Sequence, residues 1–488
     1  MNYKSTRSDI YVSDLEAVLQ GLAADGGLFV DPTLPTRPFD WQKCLSLDEP
    51  DMMAMILHHV LPGFEDMGGL VKKAYAGKFE NDRISPVVKC GDDFVMELYH
   101  GPTSAFKDVA LSMLPHLITK AREQTGMTDE ILILTATSGD TGKAALEGFH
   151  DVPGTGIVVF YPDGGVSPVQ RAQMATQEGS NVRVCALKGN FDDCQRGVKE
   201  AFSILGGKNT GGRRLSSANS INIGRLAPQI FYYFSACAQL LDSGEITLGD
   251  EIDFIVPTGN FGDVLAGYYA KLMGLPVDRL VVAANENNVL ADFIRTGVYD
   301  TRRPFIRTDS PSMDILVSSN LERLLFLASG CDSGKVEGWM DDLSRSGVYS
   351  VDKTTLDNIR SVFSAGSAAQ SECDAVCGKI WREHHYLIDP HTSVAFAVLE
   401  KLGRSGRKCV VLSTASPYKF PAAVLRSIGG DGSGDEFEQM KKLEELTGVP
   451  VPGNLAHLRS RKVLHKDVIE KNSVIEYVSK ILEGGIKK

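Results

Sequence analysis

The chain has 488 residues, more than one hydrophobic core of ordinary size holds, so two or three domains are expected. Hydrophobic residues make up 43% and charged residues 23%, the balance of a globular protein with ample apolar material to bury. The net charge is −11 and no basic run or basic–aromatic stripe occurs, which argues against nucleic acid and anionic membranes as partners and leaves an anionic small molecule compatible with a local positive site.

The N-terminus, MNYKSTRSDIYVSDLE, lacks the apolar region of a secretory signal, and no later stretch approaches the length of a membrane span. The nine cysteines are scattered without a C-x-x-C pair, so a reducing cytoplasmic setting without disulfides or structural zinc is expected. His58-His59 and His384-His385 do not fit the H-E-x-x-H pattern and read as structural; no metal is expected. The first ninety residues are dominated by helical segments such as DLEAVLQGLA and MMAMILHHVL, separated by the Pro-rich DPTLPTRP (31–38).

FVMELY (94–99) then reads as a short buried strand, followed by HGPTSAFKD (100–108) and the helical pattern VALSMLPHLI (109–118). Lys107 falls in the first turn of that helix, where a positive charge opposes the macrodipole; Thr103 or Ser104 is the expected cap. By itself Lys107 reads as a surface lysine snorkelling from the first turn. Further strands are expected at ILILTAT (131–137), GIVVFYP (156–162), VRVCALKG (182–189), DFIVPT (253–258), LVVAANE (280–286) and CVVLSTA (409–415). Helical patterns such as GRLAPQIFYYFSACAQLL (224–241) and SVAFAVLEKL (393–402) lie between them. This alternation predicts an α/β protein with parallel sheets, and the uniformly apolar runs suit strands covered on both faces. GGKNTGGRR (206–214) and GGDGSGDEFE (429–438) read as loops, the second as an acidic surface loop.

Three strand-to-helix turns carry the chemistry. ILILTATSGDTGKAALEGF (131–149) imitates a Walker A motif in its Gly142-Lys143 pair, but Thr137 stands where the first glycine belongs and Ala144 where a hydroxyl is needed. What remains is a polar turn that suits a carboxylate or phosphate, and equally a plain helix cap by Ser138 or Asp140. In DFIVPTGNFGDVLAGYYAKLMG (253–274), Gly259 and Gly262 allow close approach of the backbone to an anion. The dinucleotide fingerprint with its three glycines is absent, and a tight turn capped by Asp263 fits as well. In CVVLSTASPYKFPAAVL (409–425) a strand ends in small polar residues, with Lys419 in the next loop.

Taken in order, HGPTSAFKD, ATSGDTGKAA, PTGNFGD and STASPYKFP resemble the threonine synthase family, of the tryptophan-synthase-β-like (fold-type II) group of pyridoxal 5′-phosphate (PLP) enzymes. YKSTRS (3–8), GLAADGGLFVDPTLP (21–35), NSINIGRLAPQIFYY (219–233) and DPHTSVAF (389–396) extend the likeness from the first ten residues to about 425, in the manner of the longer members with an N-terminal extension. The resemblance implies two parallel-sheet-containing α/β domains with a PLP cleft between them, plus a largely helical N-terminal module. The module would span 1–92, the catalytic body 93–425 with a smaller subdomain at roughly 130–220, and a C-terminal loop and helices 426–488.

The resemblance further implies conversion of O-phospho-L-homoserine and water to L-threonine and phosphate by a cytoplasmic monomer or homodimer. A phospho-lyase of the same fold, releasing phosphate and ammonia to leave a 2-keto acid, is the alternative. Lys107 matches the lysine that carries PLP. Gly259, Asn260, Phe261, Gly262 and Asp263 match the loop holding the cofactor phosphate, Thr414 matches the hydroxyl facing the pyridine nitrogen, and Asn222 is a further polar contact. Ser138, Gly139, Asp140 and Thr141 match the turn receiving substrate, and Thr103, Ser104 and Lys419 complete the expected substrate contacts. Many members read A-H-P-A-K-F where this chain has Ala415-Ser416-Pro417-Tyr418-Lys419-Phe420, so any role of that histidine is missing at position 416.

Overall fold

The computed structural model of the chain describes residues 2–137, 139–206 and 211–486. The expected Gly-rich loop at 206–214 falls partly, at 207–210, outside the described residues. Every strand read from the sequence forms, with ends shifted by up to three residues. One sheet takes six strands in the order Phe363–Ser367, Val277–Ala284, Ile252–Pro257, Lys408–Ser413, Asp93–Glu97, Val87–Cys90. Its pairings are parallel except the last, where Val87–Cys90 returns antiparallel. A second, wholly parallel sheet takes five strands in the order Asp467–Glu470, Val182–Lys188, Thr155–Pro162, Glu130–Ala136, Arg213–Ser216. Every residue of Thr155–Pro162 and of Ile252–Pro257 is buried, which is why these strands read as largely apolar rather than alternating, with Asp253 the one charge, paired to Arg279.

Two segments depart from expectation. The N-terminal module carries the helices Asp14–Gln20, Glu49–Val60 and Met67–Tyr75, but also a three-stranded antiparallel sheet of Asn2–Ser5, Tyr11–Ser13 and Phe29–Val30. Strands of two to four residues are too short for a period of two to show. The C-terminal segment does more than pack on the body: Asp467–Glu470 adds an edge strand to the five-stranded sheet, and Val474–Gly484 lies against the helix Phe191–Leu205. DVIE is largely exposed and offers no apolar signal.

The module shares one continuous core with the body, in which Tyr3, Val18, Phe29 and Ile56 join Leu114 and Tyr232. YKSTRS acts there as a clasp. Arg7 grips Glu322 with Nε on Oε1 at 2.9 Å and Nη2 on Oε2 at 2.8 Å, while the Thr6 hydroxyl donates to Oε1 at 2.5 Å. Among the described residues, no helix is long and apolar enough to cross a membrane.

The helix Lys107–Thr125 is held close to Asp140–Phe149, because Gly148 lets the two backbones meet; a Cβ there would lie 1.9 Å from the Leu111 carbonyl oxygen. Gly148→Ala is expected to push these helices apart and lower stability by about 1–3 kcal/mol, read as an earlier midpoint in urea unfolding. The carboxyl ends of Glu130–Ala136, Ile252–Pro257 and Lys408–Ser413 open onto the same cleft, where open α/β sheets place ligands.

Candidate active site

The cleft has a volume of about 520 Å³ and brings together Lys107, Asp140, Thr141, residues 259–263 and Thr414 from segments far apart in the chain. Lys107 is the first residue of its helix and is buried with its Nζ toward the cleft. Nζ lies 3.5 Å from Ser312 Oγ, 3.9 Å from Asp140 Oδ2 and 4.9 Å from the centre of the Phe106 ring. Burial lowers it to about 8, against the pull of Asp140 and with help from Lys419 and Arg225. A lysine at a helix start, out of water, is one whose charge is easily given up.

Opposite it begins the helix Gly262–Leu272. Phe261 precedes it with φ 63° in the left-handed region, and no side chain caps this end, so the first-turn N–H groups stay open toward an anion. Gly262 has nothing within 3.4 Å of where a Cβ would stand, whereas Gly259 presses against the Ser312 carbonyl, 2.7 Å from its would-be Cβ. Asp263 is turned away from the helix end to accept from the Tyr233 hydroxyl at 3.2 Å, and burial raises it to about 7. Asp263 Oδ2 and Gln229 Oε1 are buried acceptors at the cleft without a partner among the described residues. Each is costly to leave so, by about 1–3 kcal/mol. An open helix end, a compliant lysine and the Thr414 hydroxyl together fit a phosphate-bearing, lysine-bound cofactor such as PLP.

Five of the expected contacts are placed elsewhere. Thr103 neither caps the helix nor faces the cleft; its N–H and hydroxyl donate to the Asp108 carboxylate at 2.8 and 2.5 Å, so the helix reaches back to its own approach. Ser104, with φ 58°, exchanges hydrogen bonds with Asn454 of the C-terminal segment. The N–H of Gly139 is taken by the Thr137 hydroxyl at 3.0 Å, which also takes that of Gly142. Asn222 is fully buried, accepting from Gly224 N at 2.9 Å and donating to the Val18 carbonyl at 2.9 Å, and thus ties down the N-terminal module. Lys419 is also fully shielded: Nζ meets Asp140 Oδ1 at 2.6 Å and the Thr103 carbonyl at 3.1 Å. It is the counter-ion of Asp140 and does not line the cleft. Burial favours a neutral Asp140, but Lys419 and Lys107 overcome it and hold the carboxyl well below the usual carboxylate range. Ser138 lies outside the described residues. Lys143 of the Walker-like pair bonds Glu147 at 2.9 Å.

Beside Lys419, the sequence offers Arg225 as a candidate cation for the leaving phosphate, whereas His391, Gln229 and Ser312 line the cleft with no role assigned from sequence. Arg225 is buried in the cleft, donates to the Ala218 carbonyl at 2.6 Å, has no carboxylate partner among the described residues, and is lowered to about 10 by burial. His391 stands beside Asp389 with Nδ1 to Oδ1 at 2.7 Å, and its Nε2 accepts from Ser312 N at 3.3 Å. Arg225 and His391 sit inside the NSINIGRLAP and DPHTSVAF blocks, and the Asp-Pro start of the latter is a legible helix cap. Ser312 lies in the single 3-10 turn Pro311–Met313, too short to leave a periodic signal.

A family model described as pyridoxal-phosphate dependent enzyme matches residues 82–414; models described as threonine synthase N terminus and threonine synthase, C-terminal match 2–75 and 392–466. The chain is 37% identical over 484 residues to a threonine synthase of Saccharomyces cerevisiae, covering 91% of this chain and 92% of that one. It is 39% identical over 436 residues to a threonine synthase of Pseudomonas aeruginosa, covering 88% and 90%. The crystal structure of PLP-bound threonine synthase from Brucella melitensis matches with a TM-score of 0.87 at 35% identity, covering 100% of both chains.

Proposed function

Because this chain belongs to the threonine synthase family of pyridoxal-phosphate-dependent lyases, we propose that its cleft converts O-phospho-L-homoserine and water to L-threonine and phosphate. The observation that carries the reading is the buried Lys107 amine, lowered to about 8, in one cleft with the uncapped start of the helix Gly262–Leu272. PLP, when bound, supplies the electron sink for the chemistry at the substrate's carbons. The first-turn N–H groups from Gly262 onward, with the loop from Gly259 through Phe261, would hold the cofactor phosphate. Asp263, turned to Tyr233 and raised to about 7 by burial, would not repel it, and the Thr414 hydroxyl would meet the ring nitrogen. Lys107 would carry the cofactor and, as a neutral amine, move protons along the substrate. Thr141 and the turn around Asp140 face the substrate.

Arg225, a buried cation without a carboxylate partner among the described residues, is the donor we assign to the substrate phosphate. Arg225→Gln is expected to lower kcat/KM for phosphohomoserine by about 10- to 100-fold, the worth of one or two charge-assisted hydrogen bonds, with cofactor absorbance retained. We place the enzyme in the cytoplasm, as a monomer or homodimer.

The purified protein is expected to show the yellow absorbance of lysine-bound PLP and to release threonine and phosphate from phosphohomoserine in equal amounts. A colourless protein that takes up no added PLP would sink the assignment, and release of 2-oxobutyrate in place of threonine would move it to the keto-acid-forming alternative.

A further inference from the structure

Water must lose a proton as it adds to the substrate, and the cleft offers few groups able to take it. Among the described carboxylates lining the cleft, Asp140 is bound between Lys419 and Lys107. Asp263 turns to Tyr233, and Asp314 accepts from Asn285, Asn287 and Thr308. Lys107 carries the cofactor and works at the neighbouring carbon. His391 is different. It is 2% exposed, lines the cleft, and is backed by Asp389, which is fully buried and caps the helix Pro390–Leu402.

The hydrogen bonds fix its tautomer. Asp389 also accepts the N–H of His391 at 2.8 Å and the hydroxyl of Thr392, so its carboxylate is firmly placed and Nδ1 carries the hydrogen that donates to Oδ1. Nε2 is then the acceptor, as the Ser312 N–H at 3.3 Å requires. That contact is long and readily exchanged for water. Ser312 also reaches Lys107 Nζ through its hydroxyl, so one serine spans the two basic nitrogens and sets them on a common substrate.

We infer that His391, oriented by Asp389, is the base that activates the water consumed by the reaction; this rests on the threonine synthase reading above. An O–H bond of the water breaks as its oxygen bonds the substrate's β carbon, and the proton passes to Nε2. The imidazolium is held by Asp389. The electron pair displaced from the carbon–carbon double bond takes a proton from Lys107 at the neighbouring carbon, and the proton on Nε2 passes back to Lys107, so one water is added in all. This base sits apart from position 416, where many relatives carry a histidine and where Ser416 here caps a turn by accepting from Tyr418 N.

The test separates water addition from phosphate release. His391→Asn holoenzyme is expected to keep releasing phosphate while threonine formed per phosphate falls at least about tenfold, the balance appearing as 2-oxobutyrate. Added imidazole restores threonine. Asp389→Asn, which keeps a capping side chain, shows the same diversion if the histidine variant fails to fold. In the cofactor-free wild-type chain, ¹⁵N NMR of the His391 ring is expected to show hydrogen on Nδ1. Threonine and phosphate falling in parallel, an unchanged product ratio, or hydrogen on Nε2 would each overturn the assignment. A wild-type enzyme that forms no threonine would instead overturn the reading on which it rests.

Discussion

Lys107→Ala is expected to lose threonine formation by about 10⁴-fold or more, because one residue serves both as the anchor of the cofactor and as a proton carrier. The loss follows from where the lysine stands. Buried at the first position of a helix, 3.9 Å from Asp140 and repelled by Lys419 and Arg225, it is lowered from 10.5 to about 8. At pH 7 about one amine in ten is then neutral, against about one in three thousand for an ordinary lysine. The sign is simple: a lowered amine gains its reactive neutral form as pH rises through about 8. PLP capture by the cofactor-free chain is therefore expected to climb between pH 7 and 9 and level off above. Capture followed by the growth of the yellow band should vanish in Lys107→Ala; a wild-type midpoint near 10 would contradict the environment described.

Features fixed by local sequence were legible. Long apolar strands, the glycine turn 259–262 and the misplaced charge of Lys107 each depend on a few neighbouring residues, and each lies in the structure where its pattern put it. What depended on distant contacts was not. Thr103 and Ser104 have the chemistry of caps, but Asp108 and Asn454 claim them. Asn222 has the chemistry of a ligand contact, but the Val18 carbonyl comes to it from two hundred residues away. Arg225 and His391 are exceptional only because no described carboxylate neutralises the one and Asp389 orients the other, and neither fact is written beside them in the chain. The resemblance to a family carried Lys419 toward a phosphate; in the fold Asp140 and the Thr103 carbonyl, both distant in the chain, come to its ammonium instead.

Lys419→Met tests that correction with the other large effect. In the wild-type fold the shielded ammonium of Lys419 meets Asp140 at 2.6 Å, and Gln170 donates to the same carboxylate oxygen at 3.1 Å. Removing one partner of such a pair leaves a buried charge uncompensated, at a cost of about 3–5 kcal/mol. Asp140 then draws on Lys107 alone, which favours the ammonium and moves the PLP-capture midpoint upward. Because Asp140 is held well below its unfolded value near 3.8, the pair stabilises the fold above that value and is lost only as pH falls further, so the deficit persists at neutrality. Lys419→Met with Asp140→Asn removes both charges and is expected to recover much of the stability. A phosphate ligand behaves otherwise: its loss raises KM for phosphohomoserine and leaves urea unfolding in place. A Lys419→Met protein of wild-type stability with a raised KM would return this lysine to the substrate. An unfolding midpoint lowered in the single variant and restored in the double places it beneath the site, as the charge that keeps Asp140 from claiming Lys107.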